Sequence, residues 1–264
     1  MIASFFQRLD EHGVRYLLIS GQATILYGAA TFSEDVDIWV EPTDDNIERL
    51  TGALRSERAR YYKLTPALAT DTLSRGHGFH FVIEGAAGAL DMYLDVMGQP
   101  PRVGSFTAAM ARARRFDTDL GCIPTVGIKE LVEIKKTQRS ADYPIIGRLA
   151  VAHLADAATP DDAHELNWAL ANVFGLTELE ALVRERVHAF SELARTLPEP
   201  LAGAVSTLCQ HHLLPAIEED ELDAWLGARA VPLRAADRRY WRPIIDELRW
   251  LKRTGKLMRE GEPV

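Results

Sequence analysis

Cysteine is scarce in this chain of 264 residues: Cys122 and Cys209 are the only two. They are too few and too far apart for a disulfide framework or a zinc motif, so a reducing, cytoplasmic setting is expected. No stretch approaches the roughly 18 apolar residues that a membrane span needs, and no membrane partner is expected. The segment Met1-Ile2-Ala3-Ser4-Phe5-Phe6-Gln7-Arg8 lacks a charged lead followed by a long apolar run, and does not read as a signal peptide. Basic charge is not in excess either. A formal net charge of −8 argues against a general nucleic-acid binder and leaves room only for local basic patches. Repeats and low-complexity tracts are absent. With 47% hydrophobic and 26% charged residues, the chain has the composition and length of one large or two smaller folded domains.

The first half alternates helical and strand patterns. Ser4 to His12 predicts an amphipathic helix stopped by Gly13, and Val14 to Ile19 a strand. A helix over Gln22 to Tyr27 follows the Ser20-Gly21 turn, then a strand over Asp35 to Val40. Thr43 is placed to cap a helix over Asp44 to Ser56 whose first turn is acidic. Arg58 to Gly78 reads as a long irregular loop. Phe79 to Glu84 and Ala89 to Val96 read as a hairpin about Gly85 to Gly88. Ser105 opens a helix to about Arg115, Leu120 to Val126 is a strand, Ile128 to Thr137 a helix, and Ser140 a cap for another. Beyond Leu154 only helical periodicity remains, near 160–173, 177–196, 199–213, 218–228 and 236–254. The expected domains are 1–156, α/β in character, and 157–264, helical.

Two aspartates, Asp35 and Asp37, open the second strand in Asp35-Val36-Asp37-Ile38-Trp39-Val40. Residues i and i+2 share a face of a strand, so both carboxylates point one way while Val36, Ile38 and Val40 point into a core. Neighbouring carboxylates repel, and aspartate is depleted in strands. A divalent cation would remove the conflict. In Leu90-Asp91-Met92-Tyr93-Leu94-Asp95 the acids Asp91 and Asp95 share the polar face; Asp91 is taken as the third carboxylate because Asp95 lies nearer the strand's exit. Three converging acids suit magnesium or manganese ions bridging a triphosphate. Ser20 and Gly21, at a strand-to-helix junction, offer backbone N–H groups to phosphate oxygens. Solvated strand faces and a tight connection are the plain alternatives for these features.

Ser20-Gly21-Gln22-Ala23, then Tyr27-Gly28, then Ser33-Glu34-Asp35-Val36-Asp37-Ile38-Trp39-Val40 together resemble the signature of the nucleotidyltransferase superfamily (the polymerase-beta-like fold). Within it, the chain looks most like the bacterial group that includes abortive-infection nucleotidyltransferase toxins. Lys135, Arg139 and Asp142 keep that group's Lys-x3-Arg-x2-Asp spacing, and the resemblance covers roughly residues 14–150. It implies an α+β fold, a mixed sheet flanked by helices, with a helical domain after it. It also implies metal at Asp35, Asp37 and Asp91, nucleotide contacts at Ser20, Gly21, Ser33, Lys135, Arg139 and Asp142, and transfer of a nucleoside monophosphate from an NTP. The acceptor could be a tRNA end, a protein hydroxyl or a small molecule, and a cognate antitoxin could be a partner. The chain departs from the family pattern at Ser20 (usually glycine), Thr31 (usually arginine) and Ser33 (usually threonine).

Other features have plainer readings. Lys135, Arg139 and Asp142 also fit an exposed, salt-bridged helix face. Arg112, Arg114 and Arg115 read as a solvated cluster, His77 and His80 as ordinary polar residues, and the basic, aromatic stretch from Arg238 to Lys256 as a surface helix with snorkelling arginines. A non-catalytic nucleotide- or partner-binding module is the main functional alternative. A drug-modifying relative with an acidic acceptor pocket, drawn from Glu165, Glu218 and Glu219, is another.

Overall fold

The computed structural model describes residues 2–85, 90–211, 214 and 216–264. The chain begins with helix α1 (Ile2–Glu11), strand β1 (Tyr16–Ile19), α2 (Ser20–Leu26), β2 (Val36–Val40), α3 (Asp44–Ser56), β3 (Arg60–Tyr61) and α4 (Thr70–Ser74). It continues through β4 (Gly78–Ile83), β5 (Met92–Met97), α5 (Phe106–Met110), β6 (Arg114–Thr118), β7 (Gly121–Thr125), α6 (Ile128–Lys135) and α7 (Asp142–Asp156). Six helices follow: α8 (Ala163–Ala171), α9 (Leu176–Glu185), α10 (Val187–Ala194), α11 (Leu201–His211), α12 (Ala216–Ala228) and α13 (Ala230–Arg253). The fold is α+β: a mixed seven-stranded sheet with helices, then a helical region. No helix among the described residues is long and apolar enough to cross a membrane.

Two compact units divide the chain. The first comprises residues 1–26, 30–134 and 239–264; the second comprises 27–29 and 135–238. In the first, the strand order is β3-β4-β5-β2-β1-β7-β6. The pairs β2–β5 and β1–β7 are parallel and the others antiparallel. Strict alternation drives the pairing. Val36, Ile38, Leu94, Val96, Phe79 and Phe81 are all fully buried on one face, and a one-residue slip would turn that set outward. Trp39 is buried as well, its indole N–H donating to the Gly98 carbonyl at 2.9 Å. In α1, Phe5, Phe6 and Leu9 form the buried stripe, and Phe6 stacks on Tyr16. Thr43 caps α3 as its sequence position demands, its side chain accepting from the Asn46 N–H.

Both sheet edges are protected. Along β3, backbone bonds join Tyr61 to Gly261 and Glu262, and Ala59 to Val264, so the last residues of the chain cover that edge. At β6 the exposed Arg114 and Arg115 blunt the other edge. This hairpin corrects one expectation: the helix from Ser105 stops at Met110, and Arg114 and Arg115 lie on a strand paired with β7 around Gly121 (φ 114). The helix expected over 177–196 is interrupted at Arg186, whose φ of −143° leaves the helical region. Ser140 is not a cap; Ala141 precedes α7 and has no side-chain acceptor. The loop expected at Arg58 to Gly78 contains β3 and α4. The hairpin turn and the last residues of the helix expected at 199–213 fall partly outside the described residues.

In the second unit, Leu154, Leu166, Leu170, Leu182, Phe190, Val205, Leu208 and Leu226 make one apolar core from α7 to α12. The segment before α7 is held by Asp237, which accepts from the Gln138 N–H at 3.0 Å, and by Arg234, which donates to the Gln138 carbonyl at 2.9 Å.

Within the first unit, Glu247 of α13 accepts from Arg75 at 2.6 Å and from the fully buried His77 at 2.9 Å. Burial pushes the Glu247 carboxyl up, but the hydrogen bonds and charges of Arg75 and His77 outweigh it and hold the group below its ordinary value of 4.5. A depressed folded value means stability present above the unfolded value and lost as pH falls through the folded one. Glu247→Gln is therefore expected to lower the thermal midpoint at neutral pH and to flatten its decline as the pH falls below the ordinary carboxylate range. Parallel pH profiles for variant and wild type would show that this carboxylate is not linked to folding.

Candidate active site

The polar face of the sheet collects the chemistry. In register, Asp37 of β2 pairs with Asp95 of β5, and Asp95 pairs with His80 of β4. Paired residues share a face, so Asp37, Asp95 and His80 form one row across three strands. Each is partly exposed in a strand whose alternate residues are buried. Asp35 lies two residues before Asp37, just ahead of β2, and is partly buried. His80 Nδ1 is 2.7 Å from Asp95 Oδ1, with the two side chains 27% and 29% exposed. The strand under this pair is fixed from the β3 side: the Tyr62 N–H donates to the His80 carbonyl, and Thr65 Oγ1 accepts from the His80 N–H. Tyr62 packs on Tyr93, the next residue of the same face of β5, with ring centroids 5.0 Å apart.

The Ser20-Gly21 turn lies beside this row. Ile19, at the end of β1, pairs with Asp37, and α2 starts at the next residue. Ser20 holds a left-handed backbone, φ 57, a conformation that costs an L-residue roughly 1–2 kcal/mol. The resembled family carries glycine there, which adopts it freely. Gly21 sits directly against Ser33: a β-carbon at position 21 would lie 2.8 Å from Ser33 Cβ and closer still to its Oγ. Gln22 Nε2 donates to the Ser33 carbonyl at 3.1 Å, and Ser33 Oγ donates to the Asp35 carbonyl at 3.3 Å. Ser20, Gly21, Ser33, Asp35 and Asp37 are thus brought together. With only 7 residues in α2, the turn's own N–H groups rather than a helix dipole are what an anion would meet.

Asp91 stands apart from the row. It is exposed, precedes β5, and accepts from the Gly85 N–H at 3.0 Å. The residue level with Asp37 is Asp95. His80, read from sequence as an ordinary polar residue, joins the site; the alternation in Gly78-Phe79-His80-Phe81 was the signal for it. Among the described residues, no three His, Cys, Asp or Glu side chains gather as a metal-ligand group.

Lys135, Arg139 and Asp142 belong to the second unit. They do not share one helix, because α6 ends at Lys135 and α7 begins at Asp142. Lys135 Nζ is 3.1 Å from Asp142 Oδ1, with side chains 11% and 10% exposed, and Thr137 Oγ1 donates to Asp142 Oδ2 at 2.5 Å. Arg139 is exposed, its N–H donating to Thr137 Oγ1. Of the acids considered for an acceptor pocket, Glu165 pairs with His153 at 2.6 Å. Glu218 lines a cavity of about 450 Å³ with Glu221, Trp225, Leu214 and Thr207.

Comparison with solved structures gives loose matches. A Helicobacter pylori protein described provisionally as a nucleotidyltransferase matches with a TM-score of 0.39 and 11% identity, over 90% of this chain and 95% of its own. JHP933, also from Helicobacter pylori, matches with a TM-score of 0.37 and 12% identity, over 92% of each chain. Matches this loose carry no weight for the chemistry. No protein-family model matches the chain, and no curated protein matches it significantly.

Two substitutions test the local geometry. Gly21→Ala is expected to cost about 1–3 kcal/mol by overpacking against Ser33, and Ser33→Gly in the same chain to recover most of it, as read by urea denaturation. A Gly21→Ala protein of wild-type stability would mean that the turn does not abut Ser33. Lys135→Met is expected to cost about 3–5 kcal/mol by leaving the Asp142 charge buried and unmatched; a cost under about 1 kcal/mol would place this pair in solvent instead.

Proposed function

We propose that the chain transfers a nucleoside monophosphate from an NTP to a hydroxyl acceptor. The observation that carries this reading is the adjacency of the Ser20-Gly21 turn to the Asp35–Asp37 carboxylates, built by the Ile19–Asp37 register and the packing of Gly21 on Ser33. Phosphate oxygens need N–H donors and a counter-charge in one place, and this corner can supply the donors beside a seat for a cation.

The donor set suits magnesium. A hard cation of this kind is commonly held by one or two carboxylates, with substrate phosphates and water completing its shell. Asp35 and Asp37 would hold it, and the ion would then neutralise charge on the triphosphate. Ser20 and Gly21 would orient the phosphates through their N–H groups, and Ser33 would keep the approach to Asp35 in place. Asp91, outside the row, has the weaker claim to the ligand role. Lys135, Arg139 and Asp142 enter this reading only through their family spacing; their buried pair is one that scaffolds also use.

Resemblance to the abortive-infection group supports a toxin role with a cognate antitoxin, and a tRNA or protein acceptor. Unpaired Cys122 and Cys209 are consistent with a reducing cytoplasm. Thr31, where the family carries arginine, favours a second reading: a module of this architecture that binds nucleotide without turning it over.

Asp35→Asn and Asp37→Asn are each expected to cut magnesium-dependent pyrophosphate release from NTPs by at least about 10³-fold, with circular dichroism unchanged, and chelation by EDTA to do the same to the wild type. Asp91→Asn is expected to have a much smaller effect. Undiminished release from both Asn variants would count against the assignment. Magnesium-enhanced nucleotide binding without any release would favour the second reading.

A further inference from the structure

Across the Asp35–Asp37 carboxylates from the Ser20-Gly21 turn, the same polar face carries two aromatic rings that the reading above leaves unused. The turn closes β1, the carboxylates belong to the β2 segment, and β5 and β4 lie beyond them in the strand order. Continuing the Val36–Leu94 pair by one residue brings Tyr93 level with Asp35, one strand spacing or about 5 Å away along the backbone ladder. Tyr62 packs against Tyr93 with ring centroids 5.0 Å apart and planes tilted by 43°. Both rings are partly exposed, and neither phenol O–H makes a hydrogen bond among the described residues. The loop that presents Tyr62 is stiffly built. Lys63 holds a left-handed backbone, φ 56. Thr65, with no exposed surface, donates to the Tyr62 carbonyl at 2.8 Å and accepts from the His80 N–H at 3.2 Å. The Met258 N–H donates to the Thr65 carbonyl at 3.0 Å. Backbone strain held in place by such bonds recurs at ligand sites. From this loop the Lys63 ammonium, which has no carboxylate partner among the described residues, lies 4.9 Å from the centre of the Tyr62 ring.

We propose that Tyr62, Lys63 and Tyr93 form the acceptor subsite and take a nucleobase with the phosphate beside it. This rests on the nucleotidyl-transfer reading above. With the triphosphate at the turn, the opposite flank of the carboxylates is the place left for the second reactant, and that flank is aromatic. Nucleobases of every kind stack on exposed tyrosine rings, and an unpaired ammonium beside those rings matches the phosphate that a nucleotide carries. Other acceptor chemistries fit less well. An extended peptide beside these rings would use a free strand edge, and the β3 edge is already bonded to residues 261–264. A polycationic small molecule would need carboxylates facing the rings, and what faces Tyr62 is the Lys63 ammonium. The rings bind the acceptor so that its sugar hydroxyl lies beside Asp35; they take no part in making or breaking bonds.

The test uses the full chain in magnesium chloride, its donor corner filled by the α,β-methylene analogue of whichever NTP binds, so that no transfer occurs. The probes are a short single-stranded oligoribonucleotide of mixed sequence and the four nucleoside monophosphates; the one that binds tells a strand end from a free nucleotide. Tyr62→Ala and Tyr93→Ala are each expected to weaken probe binding about 5- to 150-fold, with binding of the analogue itself kept within about twofold. Tyr62→Phe, which keeps the ring, should bind the probe as wild type does. Tyr62→Leu, which keeps the packing without the π face, should bind it as Tyr62→Ala does. Lys63→Gln is expected to weaken oligonucleotide binding and to reduce the slope of log K against log salt by about 0.7. With labelled NTPs in place of the analogue, each loss should fall on the KM of the probe rather than on kcat. Wild-type probe binding by Tyr62→Leu would overturn the subsite. Weakened binding of the analogue in place of the probe would also overturn it, because the rings would then hold the donor's base. Label passing only to protein in clarified cell extract, with neither probe bound, would do the same. In these three cases pyrophosphate release that depends on Asp35 would leave the nucleotidyl reading standing. A wild type that turns over none of the four NTPs would overturn that reading, and the acceptor role with it.

Discussion

The parallel pairing of β2 with β5 in a single register determines where Asp37 and Asp95 stand on the first unit's sheet. Strand side chains alternate, so once Val36, Ile38, Leu94 and Val96 are committed to the core, Asp37 and Asp95 have no choice but to stand side by side on the other face. Adding β4 antiparallel extends the constraint: burying Phe79 and Phe81 delivers His80 to Asp95. Two adjacent carboxylates are unfavourable by themselves. The core tolerates that penalty because fully burying each large apolar side chain contributes about 1.5–3 kcal/mol, and the His80 hydrogen bond offsets part of it. The apolar face thus holds in place a polar face that would not assemble on its own.

The same logic builds the corner at Ser20. Antiparallel pairing of β1 with β2 brings Ile19 to Asp37, so whatever follows Ile19 must turn beside the acids. The turn is tight enough to need a left-handed residue and close enough to the 33–35 segment to need one without a β-carbon. The chain meets the second requirement with Gly21 and accepts strain on the first with Ser20. Backbone strain of this kind recurs at ligand sites, where the surrounding structure over-determines it.

Local patterning made much of this legible. The alternation in 35–40 and 90–96, the cap at Thr43 and the stop at Gly13 are properties of short windows, and the elements they specify are present. What short windows do not carry is register between strands far apart in the chain. The choice of Asp91 over Asp95 as the third acid assumed a strand starting near residue 89; β5 starts at Met92, and only its pairing with β2 shows that Asp95 is level with Asp37. His80 reads as an ordinary polar residue for the same reason, since its partner is 15 residues away on another strand. The segment 105–118 departs from its expected helix for another reason: helical propensity after Ser105 is real, but pairing with β7 claims Arg114 to Thr118 for the sheet.

Exposure and saturation separate the two acid–base pairs that the family resemblance and the sheet supply. Asp142 gives one oxygen to Lys135 and the other to Thr137, in a setting about nine-tenths buried. A carboxylate so occupied has little left to offer a ligand, and removing its partner strands a charge. Asp95 accepts from His80, and both side chains keep more than a quarter of their surface in solvent. There the desolvation cost is modest, and water can reach both groups. By that measure the Lys135–Asp142 pair, between the end of α6 and the start of α7, is closed, and the His80–Asp95 pair on β4 and β5 stays open on one side.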